Sequence, residues 1–254
     1  MLITLLQRPG KVAAQEFSAA LEESLSKLTG ELSASTRLVG FTARGWAKVE
    51  VDGEDAEVLI EIISRELGRA QTDLNQIQAQ ESHYGIVDGV GHDLSVDIGI
   101  EKPSPLSVRL NLNGLRAQLC DGKPFSSDEI AELYCMHPGS KLGIRLTRLE
   151  RDVGALEAWL ADSQIELFSR WITSHLDRIQ VFDCTRPSLE NAVRKAGLER
   201  DVISVESSTL TTHSVVCKLG TDAIGLIPKL GSKLRKSQLE PFLPKRILKK
   251  CRQW

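Results

Sequence analysis

Apolar residues recur along this chain with two different periods, and the places where one period gives way to the other outline its build. The chain opens on an apolar run at residues 1–6, which predicts a strand. In "PGKVAAQEFSAALEESLSKLTG", Phe17, Leu21, Leu25 and Leu28 recur at helical spacing, and Gly30 stands where a left-handed residue stops a helix. Residues 46–51, "WAKVEV", alternate as a half-buried strand, and a helix from about Asp55 sets Leu59, Ile63 and Leu67 on one face before Gly68. The order strand, helix, strand, strand, helix predicts a ferredoxin-like α/β unit over residues 1–80, with 69–82 as its last strand or a linker.

The pattern then changes. Gly85, Gly89, Gly91 and Gly99 replace the helix signals, and Leu94, Val96, Ile98 and Ile100 alternate with polar residues and glycine in "LSVDIGI". With "YGIVDGV" before it, joined through Gly91, His92 and Asp93, this predicts a hairpin. A third strand fits residues 106–112. Ser126 and Glu129 have capping-box spacing at the head of a short helix, and Leu142, Ile144 and Leu146 mark a fourth strand. Residues 81–149 are thus read as a β module.

From residue 150 to the end the pattern predicts a third unit. Its first part, "ERDVGALEAWLADSQIELFSRWITSHLDR", is read as a helical linker with a capping box at Ser163 and Glu166, and with Trp159 and Trp171 as core anchors. A strand at 178–183, a helix from Pro187 to Ala196, strands at 201–206 and 212–219, a helix after Thr221 and Asp222, and a strand at about 237–242 follow. This βαββαβ order is that of a complete ferredoxin-like unit. The fold class expected is therefore α+β: a ferredoxin-like unit, a β-barrel module, and a second ferredoxin-like unit carrying a basic C-terminal helix.

Charge sharpens the picture. The whole chain of 254 residues is nearly neutral at −2, yet residues 229–254 hold nine cations (Lys229, Lys233, Arg235, Lys236, Lys245, Arg246, Lys249, Lys250, Arg252) against Glu240 alone. That is +8, and it leaves the other residues, 23 basic and 33 acidic, at −10. In "PKRILKKCR" Pro244 suits a first helical turn, Ile247, Leu248 and Cys251 share one face, and the cations cover the other. Such a surface suits a phosphate backbone. The competing reading is a solvated arm docked on the acidic body of its own chain.

Two stretches resemble known modules. "GIVDGVGHDLSVDIGI" resembles the first hairpin of the small OB barrel of ribosomal and exosome RNA-binding proteins, which implies an RNA-binding barrel. Four strands are read here where such a barrel has five. Only Tyr84 and His92 are aromatic near the hairpin, so base stacking is not the expected binding mode. "LGTDAIGLIPKLGSKL" resembles the strand-to-helix junction of ACT-type regulatory domains, which implies an amino-acid ligand at Thr221, Asp222 and Gly225. The plain alternative is that Asp222 or Thr221 caps the helix. The chain as a whole, on "LFSRWITSHLDRIQVF" and "VVCKLGTDAIGLIPKLGSKL", resembles an archaeal family of uncharacterised conserved proteins, a domain of unknown function.

Other chemistry is thin. Cys120, Cys135, Cys184, Cys217 and Cys251 are odd in number without a C-x-x-C pair, and are read as buried thiols. His83, Asp88, His92, Asp93 and Asp97 are close in sequence, but strand alternation separates them, and a solvated hairpin tip is expected instead of a metal site. No phosphate-binding glycine loop or nucleophile elbow occurs. The opening residues lack a signal-peptide pattern, and no run approaches the roughly 20 apolar residues of a membrane span. The reading is a cytoplasmic, non-enzymatic RNA-binding protein with no cofactor, no metal and no membrane contact. Its setting would be translation, RNA processing or transcription, with the ribosome or RNA polymerase as the assembly. The alternative is an ACT-like regulator that binds a small molecule.

Overall fold

The computed structural model describes residues 1–151 and 154–251. The N-terminal unit runs β1 (Leu2–Thr4), α1 (Ala14–Thr29), β2 (Ala34–Phe41), β3 (Ala47–Gly53) and α2 (Ala56–Glu66). Its antiparallel sheet has the order β1-β3-β2. Phe17, Leu21 and Leu25 of α1 and Leu59, Ile60 and Ile63 of α2 are buried against Val49 and Val51 of β3, so the helical stripes seen in the sequence form the core. The expected last strand is reduced to a bridge between Leu5 and Arg69, on the outer side of β1.

The middle of the chain is a closed barrel of β4 (Ser82–Val90), β5 (Leu94–Asp97), β6 (Val108–Leu110), β7 (Lys141–Glu150) and β8 (Ala155–Leu160), in the order β4-β5-β6-β8-β7 with β7 returning to β4. β6 and β8 pair in parallel and all other neighbours antiparallel. β8 lies inside the segment whose sequence predicts a helical linker, and the structure overturns that expectation. Leu156, Ala158 and Leu160 enter the barrel core while Glu157 and Trp159 point out, an alternation of period two inside what was read as a helix. Trp159 is accordingly no core anchor: it is 42% exposed, and its ring lies over Gly114, where a Cβ would sit 3.0 Å from it.

Two helices, α3 (Leu112–Leu119) and α4 (Ser127–Tyr134), fill the crossover between β6 and β7. The first replaces the end of the strand expected at 106–112, because Asn111 accepts from the amide of Gly114 and starts a helix there. The Ser126–Glu129 capping box at α4 is present with both hydrogen bonds made. The one expected at Ser163 is not: α5 (Asp162–Thr173) starts after Ala161 without a side-chain cap.

The C-terminal unit is β9 (Arg178–Phe182), α6 (Arg186–Lys195), β10 (Val202–Ser207), β11 (Thr212–Cys217), α7 (Ala223–Gly231) and β12 (Gln238–Phe242), with sheet order β10-β11-β9-β12, followed by α8 (Pro244–Cys251). Ile179, Val181, Val215 and Cys217 face α6 and α7. The opposite face turns toward the barrel, where Phe242 stacks among Phe168, Trp171 and Tyr134. Trp171 is thus the anchor it was read to be. α8 lies against α4 and α5 and buries Ile247 and Cys251 in the barrel's own core.

Residues 5–11 thread among all three units. The Gln7 side chain donates to the Leu67 carbonyl at 2.5 Å and accepts from the Leu210 amide at 2.9 Å. At Gly10, with φ of +57°, a Cβ would stand 2.3 Å from the Asp183 carboxylate that holds the Lys11 amide, so the passage requires glycine. The five cysteines are buried free thiols.

Candidate nucleic-acid interface

The amphipathic C-terminal helix forms where the sequence placed it, because Pro244 starts it and its apolar stripe has the barrel end to cover. Lys245, Lys249 and Lys250 point to solvent from α8, and Lys229, Lys233, Arg235 and Lys236 are exposed on α7 and the turn after it. Arg246 differs: it is partly buried and pairs with Glu132 of α4 at 2.7 Å. Arg252 lies outside the described residues. Among the described residues no carboxylate pairs within 4 Å with the other seven cations.

Several of those cations do stand in the field of single acids. Glu16 is held below its ordinary value by hydrogen bonds from Thr185 and Ser188, with Lys236 adding to the effect. Burial pushes Asp177 up, its neighbour Asp222 pushes the same way, and Lys245 opposes them. Glu129 is lowered chiefly by its capping bonds with Ser126, with a small part from Lys250. These acids soften the positive field without closing it off, since none is in contact with its lysine.

The outer wall of the barrel over β6, β7 and β8 has a different character. Arg109 of β6 is tied to Glu157 of β8 and approaches Asp93 at 3.7 Å, and Arg148 of β7 pairs with Glu150 at the end of the same strand. These two arginines are already matched.

The hairpin acids and histidines do not converge. His92 is exposed beside Asp93, and His83 lies near Glu81 with its pKa lowered by burial. The expected solvated tip is wrong for Asp97, which is fully buried: Arg44 Nε stands 3.0 Å and Arg8 3.8 Å from its carboxylate. Alternation turned Asp97 out of the barrel, but the N-terminal unit packs over that wall and covers it. Arg44 also reaches Asp88, Ser107 and the Leu106 carbonyl, so one guanidinium joins the N-terminal sheet to the barrel.

At the head of α7, Asp222 accepts from the Ile224 amide at 3.0 Å, and Asp177 from the Ala223 amide at 3.4 Å. Gly225 is exposed, and Thr221 is half-buried. Two carboxylates therefore occupy the helix start that an anionic group would need.

Residues 176–240 match the model of the DUF2110 C-terminal domain. That span holds β9 to most of β12. No curated protein matches the chain. Among solved structures, a chain of the a/eIF2alpha-aDim2p-rRNA complex from Pyrococcus horikoshii OT3 is similar at 12% identity and a TM-score of 0.27, over 50% of this chain and 70% of that one. No helix among the described residues is long and apolar enough to cross a membrane.

One feature of the interface region was not read from the sequence. The uncovered face of the C-terminal sheet and the β4–β7 wall of the barrel bound a cleft of about 360 Å³, lined by Tyr84, Lys141, Gln164, Trp171, Gln180, Glu206 and Ser214 among others. A signal was present: in "RIQVF" and "THSVVC" polar Arg178, Gln180, Thr212 and Ser214 alternate with the apolar residues that meet the helices.

Proposed function

We propose that this is a non-enzymatic, cytoplasmic RNA-binding protein whose cations on α7, the following turn and α8 contact the phosphate backbone. The observation that carries the reading is the set of seven exposed cations of residues 229–250 that make no ion pair with the described residues, on a chain whose residues 1–228 carry −10. Unpaired, solvated lysines bind phosphate with little loss of internal contacts, and each contact releases a counterion. A setting in translation, RNA processing or transcription, on the ribosome or RNA polymerase, is analogy with the modules that share these folds.

The test is filter binding of single-stranded RNA between about 50 and 200 mM salt, where affinity should fall steeply. Changing Lys245, Lys249 and Lys250 together to alanine should flatten the log–log slope by about 2, at about 0.7 per lost contact. All three side chains are exposed, so the fold should survive. An unchanged slope in a variant that melts like the parent would reject the reading.

The ACT-like alternative, an amino acid held at Thr221, Asp222 and Gly225, is weakened by the two carboxylates already at that helix start. Asp222→Ala should cost about 1 kcal/mol as a lost cap, read as a lower denaturation midpoint. Stabilisation of the parent by a free amino acid, abolished in this variant, would favour the alternative.

A further inference from the structure

The cleft between the barrel and the C-terminal sheet holds a cation that no carboxylate pairs with among the described residues. Lys141 starts β7 and Tyr84 lies on the neighbouring strand β4, where the register pairs Ile86 with Lys141 and Tyr84 with Gly143. The ammonium sits 4.6 Å from the Tyr84 ring centroid. Among the described residues no carboxylate lies within ion-pairing distance of it. Burial alone lowers its pKa, with no acid opposing the shift. The acids that line the cleft are otherwise engaged: Glu206 receives Arg178 at 2.7 Å, and Glu66 receives Arg65 at 3.1 Å.

Around this charge the cleft is built of flat and polar surfaces. Tyr84 is 52% exposed, so one part of its ring is open to solvent. Trp171 lies deeper, with the Arg178 guanidinium 4.8 Å over its ring. Across from them Gln180 donates to Ser214 at 3.0 Å, an amide and hydroxyl pair on a sheet face that would otherwise be apolar. Gln164 accepts from the Gly143 amide at 3.0 Å and brings a second amide to the wall. A volume of about 360 Å³ is at the small end of ligand pockets, which run from about 300 to 1,000 Å³.

We propose that this cleft binds one nucleotide unit, with its phosphate on Lys141, its base against Tyr84 and its polar edge toward Gln180 and Ser214. A cation short of an anion calls for phosphate, an exposed ring for a flat partner, and amides and hydroxyls for a base edge. The same groups would receive a free nucleotide or one residue of a single RNA strand. The site goes beyond the RNA-binding reading, since it lies on β4 and β7 and not on the basic C-terminal helix.

The experiment is calorimetric titration of the full chain with adenosine 5′-monophosphate and, separately, a short oligoadenylate. Four proteins are compared: the parent, Tyr84→Ala, Lys141→Met, and the variant with Lys245, Lys249 and Lys250 changed to alanine. The expected result is a Kd raised at least about tenfold by Tyr84→Ala and by Lys141→Met, with the triple variant binding the mononucleotide like the parent. Binding of the mononucleotide alone would assign the cleft to a free nucleotide. Binding of the oligonucleotide alone, weakened by both cleft variants, would assign it to RNA. Both cleft side chains reach solvent, and thermal melts check that the variants fold. The inference is overturned if the cleft variants, folded, bind both probes like the parent, or if the parent binds neither. In the first case loss of oligonucleotide binding in the triple variant alone would leave the RNA-binding reading standing.

Discussion

Arg44→Ala is expected to lower stability by about 3–5 kcal/mol at neutral pH, because it strands a buried charge. Asp97 has no exposed surface, and Arg44 supplies its nearest cation at 3.0 Å, while Arg8 stands off at 3.8 Å. The same guanidinium bonds the Leu106 carbonyl at 2.8 Å and the Ser107 hydroxyl at 2.7 Å, so its loss also loosens the N-terminal hairpin from the barrel. Lysine is not expected to rescue it, since one ammonium cannot reproduce a planar fork that serves four partners. Burial already pushes the Asp97 carboxyl above its ordinary value, with Arg44 and Arg8 opposing. Without Arg44 the folded-state pKa rises further, so the folded protein binds a proton more readily than the unfolded chain. The stability deficit should then shrink as pH falls, as the carboxyl neutralises. Adding Asp97→Asn should recover part of the loss. Urea denaturation of both variants at neutral and mildly acid pH reads these outcomes. A single-variant cost under about 1 kcal/mol, the range of an exposed pair, would mean that the charge is solvated.

The second large effect is a pH dependence set by His213. Its ring bridges Ser207 Oγ and the Cys184 carbonyl, both at 2.8 Å, which ties the β10–β11 hairpin to the end of β9. Burial lowers its pKa from 6.5 to about 4; the bond to the Cys184 carbonyl and the charge of Glu190 oppose this, while Arg186 assists it. The folded state therefore holds the imidazole neutral in a range where the unfolded chain protonates it. Stability is unaffected above about pH 6.5, and falls as pH drops from there toward about 4, by on the order of 3 kcal/mol in all. His213→Ala should be less stable at neutral pH through two lost hydrogen bonds, but its stability should be flatter across that window. Denaturation midpoints at several pH values compare the two. A parent as stable at pH 4.5 as at pH 7, after allowance for its carboxylates, would remove the argument.

Much of the candidate interface was legible because it depends on local spacing. A proline followed by apolar residues on one helical face and lysines on the other makes α8 readable, and the excess of cations over acids in its neighbourhood needs no coordinates. Arg246 was read with the rest, yet it faces Glu132 from α4, more than a hundred positions earlier, and no local pattern reports that pairing. The cleft was illegible for the same reason. Gln180 and Ser214 look like ordinary outward strand residues until the barrel is placed opposite them, and Lys141 looks like any strand-end lysine until its acids are found to be elsewhere.

By itself the amino-acid order determined the periods, the helix starts at Ser126 and Pro244, the βαββαβ succession of the last unit and the segregation of charge, since each rests on residues within a few positions of one another. Tertiary structure alone decided that "ALEAWL" closes the barrel as a strand, because a short apolar run suits either period until a neighbouring edge offers hydrogen bonds. It alone decided that Asp97 lies beneath Arg44 and that Lys141 opens into a cleft. Burial of a polar group depends on what distant chain packs over it, and that is a property of the assembled modules.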